Sequence, residues 1–177
     1  MISKALHIRK IALLAAFVSI GVVLFLFEEF LPRPLPFLKI GLGNIVNLLA
    51  IYTLGLTDAL TVGVMRVVIG SLVAGKFLSP IFLLSLGGSI TSIIGMWCCK
   101  FMGKNFVTPF GVSILGAFFH NLTQLLLASI IVVHNYGILY LTPYFCIASI
   151  ITGGFTGYLV HILLNPVTNS FASFGVK

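Results

Sequence analysis

From position 11 to position 27 the chain reads IALLAAFVSIGVVLFLF, with one hydroxyl and no charge. Runs of the same kind recur near positions 40–56, 59–74, 81–99, 110–133 and 144–164, and the links between them hold most of the prolines and half of the cations. A helix of about 20 apolar residues crosses the roughly 30 Å hydrocarbon core of a bilayer. Lipid offers a backbone no hydrogen-bond partners, so helices are the natural spanning form for such runs. The pattern predicts an all-α polytopic membrane protein, a bundle of six transmembrane helices with these approximate bounds. Composition agrees: 59% hydrophobic and 7% charged residues in a chain of 177 leave too little polar surface for a soluble globule. The runs occupy nearly the whole length, so positions 1–177 read as a single integral membrane domain with no soluble catalytic domain. The first run imitates a secretory signal, yet it ends in Glu28, Glu29 and the bulky Phe30 without a small-residue cleavage site. It is expected to stay as a helix.

The formal charge of +7 would suggest nucleic acid in a soluble protein. Here the cations sit mostly at the ends of apolar runs, where they set membrane orientation and meet lipid headgroups, and no nucleic-acid partner is expected. Lys4, Arg9, Lys10, Lys100, Lys104 and Lys177 fall on one side; Arg33, Lys39 and Lys76 fall on the other. Because cytoplasmic loops are the cation-rich ones, both termini are expected in the cytoplasm of a cell-membrane protein, as an even number of spans also requires. Cys98, Cys99 and Cys146 make neither a disulfide framework nor a metal-ligand spacing. No metal or cofactor is expected.

The stretch PRPLPFLKIGLGNIVNLL, positions 32–49, sets a cationic link against amides that enter the second span. Pro32, Pro34 and Pro36 each fix φ and predict a stiff strap that holds Arg33 and Lys39 over the bundle. Gly41 and Gly43 would let another backbone or a ligand come close. Asn44 and Asn47 share a helix face, as do His120 with Gln124 and Asn121 with Gln124. Arg66 lies near the middle of its span, where an arginine costs about 2.5–3.5 kcal/mol to insert, so it is expected to face the bundle interior. Gly63 and Gly70 are expected to give its guanidinium room. Glu28 and Glu29 read as external-edge residues and Asp58 as a turn residue, which leaves no acid inside a span to neutralise Arg66. Either Arg66 bonds to carbonyls and amides, or it meets an anionic ligand. The amides have two readings as well, as interhelical hydrogen-bond glue or as ligand-orienting groups. A structural hydrogen bond is the simpler role for His120. Small-residue pairs, Ala12 with Ala16, Gly87 with Thr91, Gly88 with Ser92 and Gly153 with Gly157, mark close helix packing or a partner face.

Three blocks, KIGLGNIVNLLAIYTLG, RVVIGSLVAGKFLSPIFLLSLGGSI and GVSILGAFFHNLTQLLLA, in this order and spacing, resemble the bacterial membrane family called Gx transporters, also labelled heptaprenyl diphosphate synthase component I. The resemblance runs from about position 9 to position 164. That family is in turn similar to the substrate-binding S components of energy-coupling factor (ECF) vitamin transporters. The resemblance implies a six-helix bundle that binds a small molecule near the external face, under the loops between helices one and two, three and four, and five and six. It implies coupling to a transmembrane scaffold and two ATPases through an AxxxA stripe on the first helix, which Ala12 and Ala16 match. On this reading the cargo is a small anionic or amphipathic molecule, a flavin, another vitamin-like compound or an isoprenoid-related one. Arg33, Lys39 and Lys76 would form a positive mouth. Asn44, Asn47, His120, Asn121 and Gln124 would orient the ligand, and Arg66 would bind its deepest charge or brace helices two and five. Phe37, Phe77 and Tyr140 are candidates to stack on a planar ring.

The second label points elsewhere, to a non-catalytic membrane subunit associated with a heptaprenyl diphosphate synthase. Prenyl transfer needs clustered aspartates to hold magnesium against a diphosphate, and this chain has three acidic residues in all. It also lacks a Walker motif, so any ATP-driven step needs separate subunits. The chain is therefore expected not to be an enzyme. A channel-like pore is the remaining class.

Overall fold

The computed structural model describes residues 2–31, 37, 39–103 and 107–173, and, among these, side chains from position 8 to position 169. The proline strap with Arg33, the cations Lys104 and Lys177, and the side chain of Lys4 lie outside the described residues. Six helices follow in chain order: α1 (Ile2–Phe30), α2 (Gly43–Thr53), α3 (Leu56–Val73), α4 (Pro80–Gly103), α5 (Pro109–Leu127) and α6 (Thr142–Ser173). A π turn at Ala128–Val132 continues α5, and a 3-10 segment at Tyr136–Leu141 leads into α6. No strand occurs among the described residues. The chain is an all-α polytopic membrane protein.

Five of these helices are long and apolar enough to cross a membrane; α2 is not. The second apolar run was expected to give a span over 40–56, and it gives a helix of only 11 residues, roughly 16 Å long at 1.5 Å per residue. Its bounds have a local cause. Gly41 and Gly55 adopt φ of +80° and +97°, left-handed geometry that glycine takes without strain and that interrupts helix on either side. All of 43–51 is buried, and α2 runs through the bundle in contact with each of the five other helices.

Around α2 the interior is apolar: Ile45, Val46, Leu48 and Leu49 pack with Val62 of α3, Ile93 and Met96 of α4, Val112 of α5 and Val160 of α6. The outward faces are apolar too, with Val23 and Phe27 of α1, Ile69 and Val73 of α3, and Ile151 and Phe155 of α6 exposed. That distribution suits lipid as the surrounding solvent, where close packing and interhelical hydrogen bonds, more than apolar burial, hold helices together. The α5–α6 seam is the tightest. A Cβ on Gly153 would stand 2.6 Å from Ile114 Cα, and one on Gly157 would stand 2.9 Å from Phe110 Cα. The Ser113 and Thr156 hydroxyls bond across the same seam at 2.8 Å. The glycines of these small pairs thus serve helix contacts: besides 153 and 157, Gly87 faces Leu127, and Gly88 faces His120 and Gln124.

Polar ties close the two ends of the bundle. At one end Lys10 pairs with Asp58 at 2.8 Å, joining α1 to the first turn of α3. There too Lys100 donates to the Ile51 carbonyl at 3.1 Å and lies over the Tyr52 ring, so a cation meets the negative end of α2. At the other end Glu29 binds both Lys39 and Lys76.

Candidate functional site

The buried charges gather where the last turn of α1 meets the turn that opens α2. Glu28 and Glu29 end α1 after a run of apolar residues, and both were expected at an outer edge. The fold turns them inward: Glu28 is 6% exposed, and its Oε1 accepts the N–H of Gly41, a donor presented by that residue's left-handed turn. Glu29 Oε1 accepts from Lys39 Nζ at 3.1 Å, and Glu29 Oε2 pairs with Lys76. Lys39 is therefore no open mouth. It is 6% exposed, also donates to Ser85 Oγ of α4 at 2.9 Å, and sits 4.6 Å from the Phe25 ring centroid, an added cation–π contact. Lys76 is the more exposed of the two lysines.

Arg66 lies deeper and is 3% exposed. Its Nε donates to Asn47 Oδ1 at 3.3 Å and its Nη2 donates to Ser89 Oγ at 3.3 Å. The guanidinium thus joins α3 to α2 and α4, whereas helices two and five were the expected pair. Asn47 Nδ2 in turn donates to Asn44 Oδ1 at 3.3 Å, so the two amides are in series with the arginine. Two further expectations change. Glu28 and Arg66 line one cavity, so the arginine does have an acid nearby. The glycines that make room for it are also different ones: Gly43 faces the guanidinium and Gly21 faces its methylenes, while Gly63 meets Ile93 and Gly70 meets Phe25.

From α5, His120 and Gln124 point toward Gly88 of α4. His120 is 5% exposed and lines the same cavity as Glu28, Lys39, Arg66 and Ser85. Neither of its ring nitrogens has a partner in hydrogen-bonding geometry among the described residues, although the Gly88 backbone is close, and Gln124 Oε1 is likewise bare. Unpaired buried polar atoms cost free energy, which makes them unusual in a finished core. Asn121 does not join them. One residue is a 100° turn of helix, and Asn121 faces α6, donating to Ser149 Oγ at 2.9 Å.

The cavity at this centre measures about 10 Å³, room for one water. Ligand pockets run to about 300–1,000 Å³, so the site is closed on its own side chains. Reasoning from sequence missed Glu28, Glu29, Ser85 and Ser89. The serines left a visible signal, since Ser85, Ser89 and Ser92 recur at helical spacing on one face of α4. Of the proposed stacking residues, Phe77 packs edge-on against Phe82 at 5.1 Å, Phe37 is half-buried and Tyr140 is exposed. None of the three lines the cavity. Ala12 and Ala16 face outward on α1, and Ala16 borders an apolar groove of about 300 Å³ shared with Phe17, Leu163 and Pro166.

The family model described as heptaprenyl diphosphate synthase component I matches residues 17–163. The chain belongs to that family. No curated protein and no solved structure matches it. The component I match takes in every charged and amide residue of the cluster, and it begins just beyond Ala12 and Ala16. A numbered component implies a partner subunit, and the helices place this one in a membrane.

Proposed function

We propose that this component I chain is the ligand-capturing membrane subunit of a transporter, similar to an S component, and that it binds a small anionic or amphipathic molecule by its charged end. The observation that carries the reading is the cluster itself: among the described residues, Lys39 and Lys76 pair with Glu29, and Arg66 lines one cavity with Glu28 and Lys39, near bare polar atoms of His120 and Gln124. Helix glue needs no such excess of positive charge, because neutral amides and hydroxyls supply it more cheaply. Ionisable residues inside a membrane bundle commonly mark ligand pathways. Capture then requires the closed cavity to open.

The chain performs no chemistry of its own; energy comes from partner ATPases through a scaffold docked on the outward face of α1 at Ala12 and Ala16. Both termini and the Lys10–Asp58 end face the cytoplasm of the cell membrane, and the charged cluster faces outside. Native mass spectrometry of gently purified protein, with flavin mononucleotide and a prenyl diphosphate as added probes, tests the reading. Retention of either by the native protein, lost in Arg66→Gln, supports it; a chain that retains neither refutes it. Ala12→Leu and Ala16→Leu should release co-purifying ATPase subunits without changing ligand retention.

A second reading follows from the family description, a non-catalytic membrane anchor for a soluble prenyl diphosphate synthase. It predicts co-purification with an aspartate-rich soluble enzyme and no ligand bound to the membrane chain alone.

A further inference from the structure

We propose that Glu28 and Glu29 are built-in counter-anions, and that the site is made for a dianionic phosphate group, which binds by displacing them. This rests on the anion-capturing reading of the same site and specifies its ligand.

Space makes the first part of the argument. A cavity of about 10 Å³ between Glu28, Lys39, Arg66, Ser85 and His120 admits one water, so any anion entering there must take the place of a group already present. Charge makes the second. Among the described residues two carboxylates stand near three cations, and removing buried counter-charges without replacement leaves uncompensated charge in low dielectric, a strongly unfavourable state. A neutral ligand that expelled both carboxylates would leave three bare cations, and a monoanion would leave an excess of two. A dianion preserves the existing balance. The donors that the carboxylates now occupy, Lys39 Nζ, Lys76 Nζ and the Gly41 N–H, suit the several oxygens of a phosphate monoester or diphosphate. The Arg66 guanidinium stands beside them, and the bare, buried ring nitrogens of His120 offer a further contact from the wall of the same cavity.

Mobility makes the third. Arg66 is fixed from within, by Asn47 and Ser89 and by the close backbone of Gly43. The two carboxylates sit at the end of a helix, next to Phe30, which is 87% exposed. Displacing the anions breaks their ties to the Gly41 N–H, Lys39 and Lys76 at the end of α1, whereas moving the arginine breaks ties to α2 and α4. Binding would therefore free the end of α1 from the turn at 39–41, linking ligand capture to movement of that helix.

The chain contains only two glutamates, 28 and 29, so labelling with carboxyl-13C glutamate places a probe on these residues alone. Inorganic pyrophosphate added to the labelled full-length protein in zwitterionic bilayers should shift both resonances saturably; acetate should not. In parallel, calorimetry should show Glu29→Gln binding pyrophosphate about tenfold more tightly than the native chain, since a competitor is gone while the cations remain. A shift produced by phosphatidic acid in the bilayer before any pyrophosphate is added would assign the dianion to a lipid headgroup, and a shift that waits for pyrophosphate assigns it to a free phosphate compound. If pyrophosphate binds but the glutamate signals stay still, or Glu29→Gln binds no more tightly, displacement is wrong and the anion site stands. Failure of both native and variant protein to bind any phosphate dianion overturns displacement and the site together.

Discussion

The guanidinium of Arg66 fills the space in which Gly43 would carry a side chain: a Cβ built on Gly43 would stand 1.8 Å from Arg66 Nη1. Each residue depends on the other, because a buried arginine needs a neighbour without a side chain and Gly43 gains nothing in helix propensity over alanine.

Gly43→Ala should therefore destabilise the protein by about 1–3 kcal/mol, the usual cost of overpacking, despite the better helix former. Gly21→Ala should cost less, since its added methyl would meet Arg66 Cδ at 3.0 Å, a far smaller overlap than 1.8 Å. Thermal unfolding of both variants in one detergent checks the order.

Arg66→Gln should cost about 3–5 kcal/mol, the penalty for removing one partner of a buried charged set. Neutralising its nearby acid as well, in Arg66→Gln with Glu28→Gln, should recover at least ~1 kcal/mol of that loss. A double-mutant cycle on unfolding midpoints measures the coupling, and a purely additive result would show that the two charges do not act on each other.

Asn47 and Asn121 look alike in sequence and should behave differently. Asn121→Ala breaks a bond to Ser149 on α6 and should cost ~0.6 kcal/mol, typical of interhelical hydrogen bonds in membranes, with anion binding unchanged. Asn47→Ala removes the acceptor for Arg66 Nε and should weaken stability and anion binding together. Calorimetric titration with pyrophosphate beside an unfolding curve separates the two roles.

Gly157→Ala should destabilise the α5–α6 seam by about 1–3 kcal/mol, because the added methyl meets the backbone of Phe110 at 2.9 Å, and backbone cannot swing aside as a side chain can. Gly154→Ala, three positions earlier, meets only the far edge of the Phe110 ring at 3.3 Å and should be close to neutral. Comparing the two melting curves tests whether the seam, and not glycine itself, sets the cost.

The helices were legible because lipid leaves a hydrophobic run few alternatives, and the inward position of Arg66 followed from its insertion cost. What surrounds it was harder to read. Glutamates at the end of an apolar helix look like an interface mark until the 39–41 turn brings Lys39 and the Gly41 N–H to them, a contact that local sequence does not contain. Gly63 and Gly70 were linked to Arg66 by nearness in sequence, yet a helical side chain leans away from its own axis, so its room must come from other helices, as Gly21 and Gly43 provide. Asn121 was grouped with Gln124 by spacing, although the 100° step from His120 turns it to α6. The shortness of α2 had a signal in the glycines at 41 and 55, which an apolar count passes over.

The interior position of α2 bears on how the molecule senses its bilayer. Hydrophobic mismatch acts on helices that touch acyl chains, which respond by tilting or sliding. A membrane thicker or thinner than the bundle's natural fit therefore pulls on the outer five helices, while the short central rod feels the change only through them. The resulting shear falls along the contact between α2 and α3, where Asn47 bonds to Arg66.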